Sequence, residues 1–190
     1  MRALIGSVLM LLVAMPSPWA NAEPQKKPRY YMVVRAVEGA KEVAPEQVRQ
    51  IFTEELAKHP EDCITERAEY PKEPEALAAR LATEKLTGYL VTVRILEITR
   101  ELVPAAAGKP PMLQRGVRLT VIGASIPEDR IAFGGHGDAL TGTIMRGKPS
   151  EAEAASLLSD AIRYAISQAV DESLKQLHKG SKSPSAAKRP

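Results

Sequence analysis

The apolar positions change their period along the chain, and the changes divide it into eight elements. Arg29–Glu38 (RYYMVVRAVE) is dense in β-branched and aromatic residues and predicts a strand, buried on both faces at Met32-Val33-Val34. It ends at Gly39. Pro45 suits a first helical turn, and Val48, Ile51, Phe52 and Leu56 then recur at helical spacing until His59-Pro60 stops the run. Cys63–Ala68 reads as a short strand. Pro74 opens a second helix with Leu77, Ala78, Leu81 and Leu86 on one side and Gly88 as the expected cap.

From Tyr89 to Val103 the sequence YLVTVRILEITRELV has no breaker for 15 residues, and Tyr89, Val91, Val93 and Ile95 alternate with Thr92 and Arg94. This is a long strand. The Pro104–Pro111 linker (PAAAGKPP) cannot continue it, and Met112–Ile126 supplies a second strand that pairs back as an antiparallel hairpin. Pro127-Glu128-Asp129 is a turn sequence, and Arg130–Ile144 follows as a third strand, interrupted by Gly134, Gly135, Gly137 and Gly142. Ser150-Glu-Ala-Glu153 has the form of a capping box, and Glu151–Leu177 then carries Leu158, Ile162, Ile166, Ala169 and Leu177 on one stripe. The order β-α-β-α-β-β-β-α predicts an α/β (α+β) fold, one mixed sheet of about five strands with helices packed against it.

Ahead of these elements, residues 1–22 have Arg2, an apolar run from Ala3 to Met15 and small residues at Ala20 and Ala22. This is the layout of a secretory signal peptide cleaved near Ala22, and the run is too short to cross a ~30 Å hydrocarbon core; a retained anchor is the other reading. The expected organisation is a signal peptide over 1–22, a basic linker over 23–28, one domain over 29–178 and a disordered basic tail over 179–190. The product is expected to be exported, to the periplasm or beyond, and soluble after cleavage. A single cysteine, Cys63, rules out an intrachain disulfide. At a strand start it is expected to pack as a small hydrophobe.

Charge changes the picture when taken by region. The whole chain carries 26 Lys+Arg against 23 Asp+Glu, yet Tyr30–Ser173 holds 17 basic and 22 acidic residues. The folded body is acidic and the basic excess sits at its ends, in Lys26, Lys27 and Arg29 and in Lys175, Lys179, Lys182, Lys188 and Arg189. Such a tail is able to touch an anionic surface weakly. With an acidic body and only 4% aromatics in the whole chain, no nucleic-acid partner is expected.

The candidate chemistry is sparse. His59, His136 and His178 show no metal-ligand spacing, and neither metal nor cofactor is expected. His136 and Asp138 lie two apart in FGGHGDALTG, the spacing that puts both on one face of a strand, so an exported hydrolase using them is one reading. A bulged edge strand, bent by its glycines, is the other. GGHGDALTG lacks the Lys-Ser/Thr of a phosphate loop. Arg94/Arg100 with Arg115/Arg118 form a further candidate, an anionic-ligand patch at one end of the hairpin, with exposed sheet-face arginines as the commoner reading.

Taken together, strand MVVRAVEG, helix PEQVRQIFTEELAKH, strand CITERAEY, helix EPEALAARLATEKL and strand YLVTVRILEITRELV, with a meander and a final helix after them, resemble an envelope-protein superfamily. Its types are the lipoprotein activator of penicillin-binding proteins, the periplasmic domain of the curli secretion channel and the TolB amino-terminal domain. The resemblance is one of topology over about Arg29–Leu177. It implies a periplasmic α/β domain and carries no catalytic residue across; unlike those lipoproteins, this chain has no cysteine near the cleavage site. The expected function is a non-catalytic accessory protein that binds another envelope protein.

Overall fold

The computed structural model describes residues 30–39, 42–65, 67–105, 109–148 and 150–180. The expected signal peptide, the basic linker and the tail beyond Gly180 lie outside them. β1 (Tyr30–Glu38), α1 (Pro45–Leu56), β2 (Cys63–Ile64), α2 (Pro74–Glu84), β3 (Thr87–Val103), β4 (Met112–Ser125), β5 (Ile131–Ile144) and α3 (Glu151–Gly180) follow the expected order. They build one mixed sheet, ordered β2-β1-β3-β4-β5. β1 runs parallel to β2 and β3, whereas β3, β4 and β5 form an antiparallel meander. The α+β class read from the sequence is therefore the observed one.

Alternation along the long strands separates two faces. Tyr89, Val91, Val93 and Ile95 of β3 meet Val117, Leu119 and Val121 of β4 on the inner face, which α1 and α3 cover. Helix α1 contributes Val48, Ile51, Phe52 and Leu56, the residues its periodicity singles out. Helix α3 contributes Ala161, Ile162, Ala165, Ile166 and Ala169, all fully buried. Burying each Ile or Leu here stabilises the fold by about 1.5–3 kcal/mol. The outer face carries a smaller cluster, Tyr31, Tyr70, Leu77 and Leu81, where α2 covers the start of β1 and β3.

The capping box forms as expected. Ser150 N–H donates to Glu153 Oε2 at 2.9 Å, and Glu153 N–H donates to Ser150 Oγ at 3.1 Å. That reciprocal pair holds the Glu153 carboxyl below its ordinary range, chiefly through the Ser150 backbone N–H.

Three local expectations need correction. β2 stops at Ile64 rather than Ala68. The chain leaves the edge there so that Tyr70 can enter the outer-face cluster, its ring 5.0 Å from that of Tyr31 and its hydroxyl donating to Glu84. Helix α2 is capped by Lys85 in the left-handed conformation, with φ 58°, and not by Gly88. Leu86 N–H closes the cap on Leu81 O at 2.9 Å, and Gly88 falls inside β3. β5 is the edge strand and carries a bulge before Phe133, as one reading had it, but two of its glycines do more than bend it. A Cβ on Gly135 would stand 2.1 Å from Ala169 O, and one on Gly137 1.8 Å from Ala165 O, so these residues let the α3 backbone close onto the sheet.

That approach also completes the edge. The outward N–H groups of Gly134, His136 and Asp138 donate to Gln176, Glu172 and Gln168 of α3 at 3.2, 2.6 and 3.1 Å. Steps of four residues along the helix match steps of two along the strand, since both advance about 6–7 Å. At the opposite side of the sheet, Arg49 donates to the carbonyl oxygens of Val34 and Arg35. The two ends of the domain meet at one pole. Tyr30 N–H donates to Asp62 O at 2.9 Å, His178 Nε2 lies 3.1 Å from Asp62 Oδ1, and the Tyr30 and His178 ring centroids are 6.1 Å apart.

Candidate functional site

The four arginines of the long hairpin do not form one patch, and the reason is a single extra residue. Arg94 and Arg100 are six apart and would share a face in a regular strand. The register shifts between Ile95 and Glu97, leaving Leu96 as a bulge and turning every later β3 residue to the other face. Arg94 therefore points outward, and Arg100 points inward together with Ile98 and opposite Arg115. Arg115 and Arg118, an odd number apart on β4, also take opposite faces.

The outer pair is neutralised. Arg94 Nε lies 2.8 Å from Glu38 Oε2. Arg118 bridges two strands, with Nη1 3.1 Å from Glu97 Oε2 on β3 and Nε 3.1 Å from Asp138 Oδ2 on β5. These are exposed ion pairs, worth about 0–1 kcal/mol each.

His136 and Asp138 do share a face, as their spacing predicts. Both side chains are exposed on the outer face of β5, opposite Thr120 and Arg118. The Asp138 carboxylate is engaged by Arg118, and the backbone N–H of each residue is held by α3. Neither residue lines the depression over Met32, Val34, Arg49 and Phe52, or the one between Thr143 and Glu153.

The inner pair is different. Only 7% of the Arg115 side chain is exposed. Its Nη2 donates to Glu42 Oε2 at 2.8 Å, while its buried Nε has no hydrogen-bond partner. Leaving such a donor unsatisfied costs about 1–3 kcal/mol, more beside a charge. Arg100 stands directly across the ladder, and its nearest carboxylate, Glu151 Oε1, is 3.6 Å away. Two like charges facing each other on adjacent strands destabilise the pairing. Sequence reasoning named these two arginines but missed Glu42, which lies 73 residues from Arg115.

Cys63 is buried, and burial pushes its thiol up to about 12, with Asp62 and Glu61 adding to the shift. Among the described residues, no group of His, Cys, Asp and Glu is placed to hold a metal ion. No helix among them is long and apolar enough to cross a membrane.

No family model and no curated protein matches this chain. Solved structures do. Protein XCC0632 from Xanthomonas campestris, described as a DUF330 protein, has a TM-score of 0.50 at 10% identity, covering 88% of this chain and 94% of that one. A PelC dodecamer from Paraburkholderia phytofirmans matches at TM-score 0.40 and 14% identity, over 76% and 86%. A minor lipoprotein from Acinetobacter baumannii matches at 0.37 and 11%, over 82% and 95%. The likeness to XCC0632 is one of fold.

Proposed function

We propose that this chain is an exported accessory protein of the bacterial cell envelope that acts by binding another envelope protein. One observation carries the reading. At the far end of the meander, on the outer face, Leu140 and Ile144 are 63% and 57% exposed, Ile144 in register with Met112 and Val103 and Leu140 with Gly116. Leu140 and Thr99 lie over Gly116, which has no side chain of its own. Apolar side chains grouped on one sheet face mark a contact surface more often than chance exposure does. The signal-peptide layout of residues 1–22 supports the compartment, and the charged pairs of the outer face, Glu38–Arg94 and Glu97–Arg118–Asp138, give that surface a polar border.

Position-specific photo-crosslinking tests it. A photoreactive residue at Leu140 or Ile144, expressed in the native host, is expected to give one adduct with an envelope protein that Leu140→Asp or Ile144→Asp abolishes. A reactive residue at Arg80, on the exposed side of α2, is expected to give none. Equal labelling from Arg80, or retention of the whole chain in the cytoplasm, would sink the reading.

A further inference from the structure

We propose that Arg115 is a receptor for a carboxylate from outside the chain, with Glu42 holding the place until that group arrives. This inference goes beyond the contact surface at Leu140 and Ile144 and does not depend on it. In a guanidinium, Nε–H and the neighbouring Nη2 form one side of a planar fork, the side that takes both oxygens of a single carboxylate. Glu42 fills half of that side: one oxygen sits on Nη2 at 2.8 Å, and Nε is empty.

The surroundings favour replacement. The Arg115 side chain is fixed in the inner face between Leu113 and Val117, both buried. The Glu42 side chain is 58% exposed on the connection between β1 and α1, so its carboxylate turns into water without disturbing the core. Arg100 faces Arg115 across the ladder and holds Glu151 only at 3.6 Å. Two guanidiniums in facing positions repel each other, and an anion between them removes the repulsion. On the same face of β3, Leu102 is exposed beside Arg100 and offers an apolar neighbour for the carbon skeleton of the incoming acid. The group already seated is a planar carboxylate, which selects carboxylate over tetrahedral phosphate. Its source is either a small organic acid or the acidic side chain of a protein.

Arginine Nε–H resonances of the 15N-labelled chain read the site directly. Sodium succinate and a short Glu-rich peptide represent the two sources, titrated at constant ionic strength, with inorganic phosphate as the competing anion. The Arg115 Nε–H signal is expected to shift saturably, with half-saturation of about 1–10 mM in Glu42→Gln and at least ~10-fold higher in the unchanged chain. Backbone amide shifts of Leu113 and Val117 are expected to follow the same titration in Glu42→Gln and to lose it in Glu42→Gln/Arg115→Lys, whose amide spectrum stays folded. A response to the peptide alone assigns the carboxylate to a protein, and a response to succinate assigns it to a small acid. No shift with either in Glu42→Gln, equal half-saturation with and without Glu42, or a shift with phosphate alone would each overturn the proposal.

Discussion

At the scale of single residues, burial decides what a group is able to do. Cys63 is the example, because its thiol is raised to about 12 by burial first and by Asp62 and Glu61 after it. An ordinary thiol ionises near 8.5, so the folded protein holds roughly 10³-fold less thiolate than the unfolded one at pH 8. Alkylation by iodoacetamide at that pH is expected to run at least ~100-fold slower in the native protein than in urea, and comparable rates would show that the strand start opens. The same shift has a sign in stability. The unfolded chain loses this proton before the folded one does, so stability falls as pH rises above about 8.5, by up to about 1.4 kcal/mol per pH unit until the folded value is passed. Cys63→Ala should remove that part of the alkaline slope in denaturant titrations.

At the scale of elements, side chains cap part of each side of the sheet. Arg49 covers the carbonyls of Val34 and Arg35, and the Gln168, Glu172 and Gln176 ladder takes the N–H groups of Asp138, His136 and Gly134. An open edge is a template for pairing with another chain. Replacing all three ladder residues by Ala is expected to lower stability by about 1–3 kcal/mol in sum and to produce concentration-dependent self-association in sedimentation velocity. A variant whose sedimentation matches that of the unchanged chain would mean that α3 bulk alone protects the edge. Residue patterns reveal the strands and helices because their periods lie in the chain itself, and Val48, Ile51, Phe52 and Leu56 are buried as their spacing requires. They do not reveal the ladder, since Gln168, Glu172 and Gln176 read as an ordinary polar stripe until β5 lies beside them. The arginines fail for a related reason: a one-residue bulge at Leu96 exchanges the faces of everything after it, and nothing in ILEIT marks it.

At the scale of the molecule, the long meander and the tight packing of α3 produce a body whose opposite poles differ. One pole presents Leu140 and Ile144, and near it Glu42 covers Arg115. The other joins Tyr30 to the last turn of α3 through Asp62 and His178. Contacts between distant segments therefore hold the fold, more than the order in which the chain visits them. Linking Gly180 to Tyr30 with a short Gly-Ser segment and opening the chain between Ala105 and Lys109 is expected to give a circular permutant with unchanged circular dichroism and a melting temperature within a few degrees. Loss of cooperative unfolding in that permutant would mean that the β3–β4 connection is needed to bring the hairpin together.

The meeting of Tyr30 and His178 also fixes how the protein responds to pulling. Force applied through Tyr30 and Gly180 acts across neighbouring segments, pulling the start of β1 from Asp62 and His178 first instead of shearing the whole sheet at once. A chain held by both ends would yield at low load, whereas one held by a single end would keep its far pole rigid and free to reach.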